Sequence, residues 1–174
     1  IVKIAMKVLV SNLGSTSFKY RLYDMTNEQQ LARGGVERIG APESRCFVEI
    51  GSNKSEMTLS VPNHGVAVDA CISQLTDPNH GCIRDASEIS AIGFKAVHGG
   101  RISGVHRIDD AVLQAMDEMN SVAPAHNPPY MAAMKQLASM SRIPLVAAFE
   151  TDFHQTIPEA WKRYALPATL ANAL

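Results

Sequence analysis

The sequence predicts a mixed α/β fold, a β-sheet covered by helices. Three observations carry that prediction. Short segments up to Val61 alternate apolar and polar residues with period two. Beyond Val61 the apolar spacing becomes helical. Short apolar strands then alternate with helices to the end of the chain. Strands first, then alternating helix and strand, is the order of a sheet with helices packed on it.

Val8 to Val10 reads as a buried strand that stops at a polar turn built on Asn12 and Gly14. A second strand spans Ser17 to Asp24, where Phe18, Tyr20 and Leu22 alternate with Lys19, Arg21 and Tyr23. Gln30 to Ile39 forms a third strand, broken by Gly40-Ala41-Pro42. Cys46 to Ile50 and Met57 to Val61 are two more, separated by the turn Gly51 to Lys54. The first third of the chain is therefore a meander of four or five antiparallel strands. Val68, Cys71, Ile72 and Leu75 fall at helical spacing, and Thr76 to Asn79 ends that helix. Ile89 to Val97 reads as a strand closed by His98-Gly99-Gly100. Asp109-Asp110 caps a helix whose core face is Val112, Leu113, Met116 and Met119. Ala123 to Pro129 reads as an irregular loop, and Met131, Met134, Leu137 and Ala138 as the apolar face of a following helix. Pro144 to Phe149 is a buried strand with Glu150 to His154 at its carboxyl end, and Ile157 to Glu159 turns into a last helical stretch.

The 174 residues suffice for one domain or one large lobe. With 46% hydrophobic and 19% charged residues, the chain can bury a core and is not globally disordered. A net charge of −1 gives no basis for attracting nucleic acid or an anionic membrane. Cys46, Cys71 and Cys82 are an odd, scattered set without zinc spacing, so neither a disulfide framework nor a metal knuckle is expected, and a reducing cytoplasm fits. No signal-peptide pattern or membrane-length apolar run is present. Met6 reads as a natural start, which makes residues 1–5 an expected cloning remnant.

Ligands of such sheets sit beyond the carboxyl ends of the strands. Four polar clusters are expected there: Asn12 to Lys19, Lys95 to Gly100, His126-Asn127, and Glu150 to His154. In the first, backbone N–H groups of the turn can hold an anion, or the segment is an ordinary hairpin. Lys19 can meet a phosphate as a point charge or simply be solvated. Asn12 can face a hydrated Mg²⁺ or shape the turn. The glycines after His98 allow either close approach to a ligand or a plain turn. Pro128 biases Asn127 toward an extended conformation. His126 can donate to a charged oxygen, and Glu150 can orient a nucleophile, act as a base or cap the next segment.

Four motifs in order then resemble the acetate kinases. Asn12-Leu13-Gly14-Ser15-Thr16-Ser17-Phe18-Lys19 resembles the family's N-x-G-S-S-S-x-K. Val97 to Gly100 is similar to its R-V-V-H-G-G strand end, and Ala123 to Pro129 to its A-P-L-H-N-P-P loop. Phe149 to Pro158 with Tyr164 to Pro167 is similar to its F-D-T-A-F-H-Q-T-M-P…Y-A-L-P segment. The resemblance implies a ribonuclease H-like lobe of the actin, Hsp70 and sugar-kinase superfamily, βββαβαβα with a mixed five-stranded sheet. It makes residues 6–174 the amino-terminal lobe, with the second lobe missing. It implies phosphoryl transfer between ATP and acetate or a close short-chain acid, giving ADP and acetyl phosphate, with Mg²⁺, in a cytoplasmic protein that can form a homodimer. By position, Asn12 lies at the Mg²⁺ site and Lys19 at the ATP phosphates, with Ser15 and Ser17 lining them. Lys95, Val97 and Ala125 border the acid, His126 faces the phosphoryl in flight, and Glu150 takes the place of the catalytic carboxylate.

The chain also departs from the pattern. Lys95 stands where the family has arginine, Phe94 where it has histidine, and Glu150 where it has aspartate. Lysine lacks the planar fork of arginine, and glutamate reaches about 1 Å further, a misplacement that costs on the order of 10²-fold in rate. The motif Y-G-F-H-G-T-S-H is absent, so this chain alone is expected to be inactive. The competing expectation is a degenerate lobe that serves as a binding or regulatory module. A sugar kinase is disfavoured by the His-Asn-Pro-Pro and Phe-His-Gln-Thr stretches.

Overall fold

In a computed structural model, residues 6–140, 142–153, 155–162, 165 and 167 are described. Five strands open the chain: β1 (Lys7–Leu13), β2 (Ser17–Asp24), β3 (Gln29–Glu37), β4 (Ser44–Ile50) and β5 (Asn53–Leu59). Each is antiparallel to the one before it. Helix α1 (His64–Leu75) follows, capped by the Asn63 side chain, which accepts the Val66 N–H. Then come β6 (Ile89–Ala96), β7 (Val105–Arg107), α2 (Asp110–Glu118), α3 (Asn127–Met140), β8 (Leu145–Phe149) and the short α4 (Glu159–Lys162). The strand order is β5-β4-β3-β2-β1-β6-β8-β7, with β1, β6 and β8 mutually parallel.

The mixed α/β class is the one expected, but among the described residues the sheet has eight strands rather than five. Strands β4 and β5 continue the meander across the same sheet, and β7 adds a short antiparallel edge on β8. All three residues of β7 are exposed, so it carries no apolar alternation to read. Asn53 and Lys54, expected in a turn, belong to β5. Pro128 and Pro129, expected in an irregular loop, lie in the first turn of α3. Proline is tolerated there because the first-turn N–H groups have no helical acceptor. Asn127 is thus helical rather than extended. On α3 the buried apolar set is Tyr130, Met131, Ala133, Met134 and Leu137, whereas Ala138 is exposed.

The core occupies one side of the sheet. Leu9, Leu13, Phe18, Leu22, Val36, Ile92 and Phe94 pack with Val68, Cys71 and Leu75 of α1 and Met131, Met134 and Leu137 of α3. The opposite side is open over the central strands: Val10 is 46% exposed, and a side chain at Gly93 would meet nothing within 4 Å. Leu9 and Val10 are neighbours in sequence with opposite fates. Leu9→Ala is expected to cost about 2–5 kcal/mol and Val10→Thr less than about 0.5 kcal/mol in chemical denaturation of the chain. The three cysteines are free, and burial pushes the Cys71 thiol pKa up. Among the described residues no helix is long and apolar enough to cross a membrane.

Candidate functional site

The parallel strands β1, β6 and β8 bring several of the candidate residues to their carboxyl ends. Ser11 pairs with Phe94, so the next residues along the two strands, Asn12 and Lys95, stand side by side. Asn12 is also the cross-strand partner of Lys19, and Lys95 that of Ala148. Side chains two apart share a face of a strand. Asn12, Lys19 and Lys95 therefore project from the open side of the sheet, and Glu150 follows two residues after Ala148.

Lys95 and Glu150 meet: Nζ lies 2.7 Å from Oε1, with both side chains partly solvated. The Glu150 carboxylate and the nearby Tyr130 raise the Lys95 pKa against the opposing pull of burial. Such a lysine keeps its proton through neutral pH. The stability that the pair adds is present below the ordinary lysine value of about 10.4 and is lost only as pH rises through the raised one. Tyr130 is buried, and its ring lies edge-on to His126 with centroids 6.0 Å apart. His126 and Ala125 are exposed at the entrance to α3, and Val97 is half-buried just past β6.

The hairpin turn is held from several sides. The Gly14 N–H donates to the Ser17 carbonyl at 2.8 Å, and the Ile39 N–H to that of Thr16 at 2.9 Å. His64 Nε2 lies 2.8 Å from the Gly14 carbonyl. A carbonyl only accepts, so Nε2 carries the proton. A side chain at Gly14 would place its Cβ 2.6 Å from the Ser17 hydroxyl. Ser15 is exposed and Ser17 half-buried. Lys19 Nζ lies 3.6 Å from Glu37, a carboxylate that also takes Arg45 at 3.2 Å.

The glycines after His98 have packing and backbone reasons of their own. A Cβ at Gly99 would come within 2.8 Å of both the Ile102 carbonyl and the Phe149 ring. Gly100 has a φ of 61°, which a side chain disfavours. The His98 ring accepts the Gly100 N–H through Nδ1 at 3.0 Å. The turn therefore seats Phe149, and with it the start of Glu150. A cavity of about 450 Å³ opens beside Glu150, lined by Gly104, Val105, Phe149, Asp152 and Phe153.

Asn12, Lys19, Lys95, His126 and Glu150 thus share one end of the sheet, while His154 lies outside the described residues. Tyr130, Glu37 and His64 also border these residues without belonging to any of the four polar clusters. Tyr130 had a usable signal, since it stands four residues after His126 once the prolines are taken as a helix start. Glu37 and His64 had none, because strand pairing and the return of α1 bring them in. Among the described residues no three His, Cys, Asp or Glu side chains gather as a metal site. A divalent ion at Asn12 would therefore rely on phosphate oxygens and water, as Mg²⁺ commonly does.

The sequence matches the profile of the acetokinase family over residues 7–174. It is 44% identical over 168 residues to an acetate kinase of Clostridium beijerinckii, covering 95% of this chain and 42% of that protein. It is 45% identical over 168 residues to an acetate kinase of Methanosarcina acetivorans, covering 95% of this chain and 41% of that one. The fold superposes on the crystal structure of Porphyromonas gingivalis acetate kinase with a TM-score of 0.85 and 38% identity, over 97% of this chain and 43% of that one. A propionate kinase from Francisella tularensis superposes with a TM-score of 0.80 and 28% identity, over 97% and 43% of the two chains. The chain thus spans about two-fifths of the length of the relatives it matches.

Proposed function

The chain belongs to the acetokinase family, and from that premise we propose that it is the amino-terminal lobe of an ATP-dependent kinase of acetate or a close short-chain carboxylate. The observation that carries the proposal is the Lys95–Glu150 pair at the ends of adjacent parallel strands, beside Asn12 and Lys19 on the open face of the sheet.

A carboxylate oxygen of the acid attacks the γ-phosphorus, the bond to the bridging oxygen breaks, and ADP leaves with the electron pair. Acyl phosphate is the product. The transition state is loose, with charge spread over the three equatorial oxygens, so the protein supplies position and charge. Lys19 meets the phosphates, and Ser15 and Ser17 line them. His126 donates to an equatorial oxygen as it crosses. Lys95 holds the acid, whose methyl group rests against Val97 and Ala125. The acid is already ionised at neutral pH, so Glu150 has no proton to remove from it. Its part is to aim Lys95 and to balance its charge. Asn12 would contact the hydration shell of a Mg²⁺ ion, which would supply shielding of the phosphate charge.

The relatives are more than twice as long as the stretch matched here, and the proposal assigns the remaining half of the active site to that further length. The test is acetyl phosphate formation from acetate and ATP, trapped as hydroxamate. The 174-residue chain alone is expected to give none. The chain joined to the remaining length of the Porphyromonas gingivalis acetate kinase is expected to turn over. Robust turnover by the chain alone overturns the assignment to one lobe. Loss of ATP and acyl phosphate binding by the joined protein overturns the kinase assignment in favour of a non-catalytic module.

A further inference from the structure

Asn127 is completely buried, yet its side chain is polar and its work is done on backbone groups of other segments. Nδ2 donates to the His98 carbonyl at 2.8 Å and to the Met116 carbonyl at 2.7 Å. Both partners only accept, so the orientation of the amide is determined. Oδ1 is buried without a hydrogen-bond partner. The Asn127 N–H donates to the Ala123 carbonyl at 2.9 Å. One residue therefore ties the turn after β6, the last turn of α2 and the first turn of α3.

Each tied segment bears on the site. His98 holds the Gly100 N–H, and Gly99 seats Phe149 ahead of Glu150. The start of α3 presents His126, its ring edge-on to the buried Tyr130. A planar amide is the short side chain that offers two N–H donors at a fixed angle. Serine offers one, aspartate when ionised none, and leucine none. An apolar residue would spare the orphaned oxygen but would take the Asn127 donor from the part-buried His98 carbonyl and leave the Met116 carbonyl only the Met119 N–H. We infer that Asn127 is a positioning residue that fixes His126 relative to the Lys95–Glu150 pair by bracketing α3 to the His98–Gly100 turn. The inference rests on the proposed kinase reading for its catalytic consequence, and on the hydrogen bonds alone for its geometry.

The test has two arms. In the joined two-lobe protein, Asn127→Ser is expected to lower kcat by about 10- to 10²-fold, the scale set by a misplacement near 1 Å, with KM within about threefold. In a His126→Ala background the same change is expected to cost less than about twofold, because residues acting through one another are non-additive. Equal losses in both backgrounds overturn the inference, as does an unchanged kcat. In the 174-residue chain, the Asn127 side-chain amide protons are expected to exchange as slowly as core backbone amides and to show hydrogen-bond couplings to the His98 and Met116 carbonyl carbons. Rapid exchange without those couplings overturns the inference, even where the serine variant does not fold. If the joined protein shows no turnover, the kinase reading has failed and this second arm alone decides the bracket.

Discussion

His126→Ala in the joined two-lobe protein is expected to lower kcat for acetyl phosphate formation by about 10²–10³-fold, the measured scale for losing one donor to a developing anion. KM for acetate and for ATP should move by less than about threefold, since the contact is made as charge shifts onto the equatorial oxygens and not before. The geometry behind this expectation is specific. His126 is exposed at the start of α3, its ring edge-on to the buried Tyr130, so the imidazole is backed on one side and open on the other. His126→Asn keeps a donor with shorter reach and should recover part of the loss. A kcat for His126→Ala within threefold of the parent would remove His126 from the transition state.

The second large effect concerns Lys95 and Glu150. Lys95→Met is expected to cost about 10²-fold or more in kcat/KM for acetate. On the proposed reading it would delete a charged hydrogen bond worth about 1.5–3 kcal/mol to the acid and would leave Glu150 facing an anionic substrate. Glu150→Gln should cost about 10–10²-fold, because the amide still contacts the lysine but no longer balances it. The double variant should lose less than the sum of the two, since the 2.7 Å contact couples them. Additive losses would show that the two side chains act separately. The pH profile offers an independent check. Glu150 raises the Lys95 pKa above the ordinary lysine value of about 10.4, so the parent should show no alkaline limb from Lys95 below that pH. An alkaline limb near pH 8 that vanishes in Lys95→Met would contradict the arrangement.

The pairing also bears on the two departures from the family pattern. Lysine for arginine loses the guanidinium fork, and glutamate for aspartate gains a methylene. In the structure the longer carboxylate closes on the lysine ammonium at 2.7 Å. The two departing residues are thus the two partners of a single ion pair.

Much of the fold was legible because strands announce themselves through alternation. Strand β2 (Ser17–Asp24) and the cap of α2 at Asp109 fall where the residues placed them. The nearness of the candidate residues was legible in outline because most of them lie at strand ends in sequence, and the parallel arrangement of β1, β6 and β8 converts sequence position into spatial proximity. What the sequence by itself determined is local: hydrophobic periodicity, turn chemistry, caps, and the polar character of the segments that hold the candidates Asn12, Lys19, Lys95, His126 and Glu150. What only the tertiary structure decided is pairwise. That Lys95 bonds Glu150, that Glu37 answers Lys19, that His64 holds the Gly14 carbonyl, and that Asn127 brackets His98 to Met116 all join residues far apart in the chain. The same holds for Gly99, whose missing side chain is explained by the Phe149 ring that fills its place. Periodicity reports which way a side chain points relative to its own backbone. It carries no information on which distant group will be waiting there, since that is fixed by strand register and helix docking.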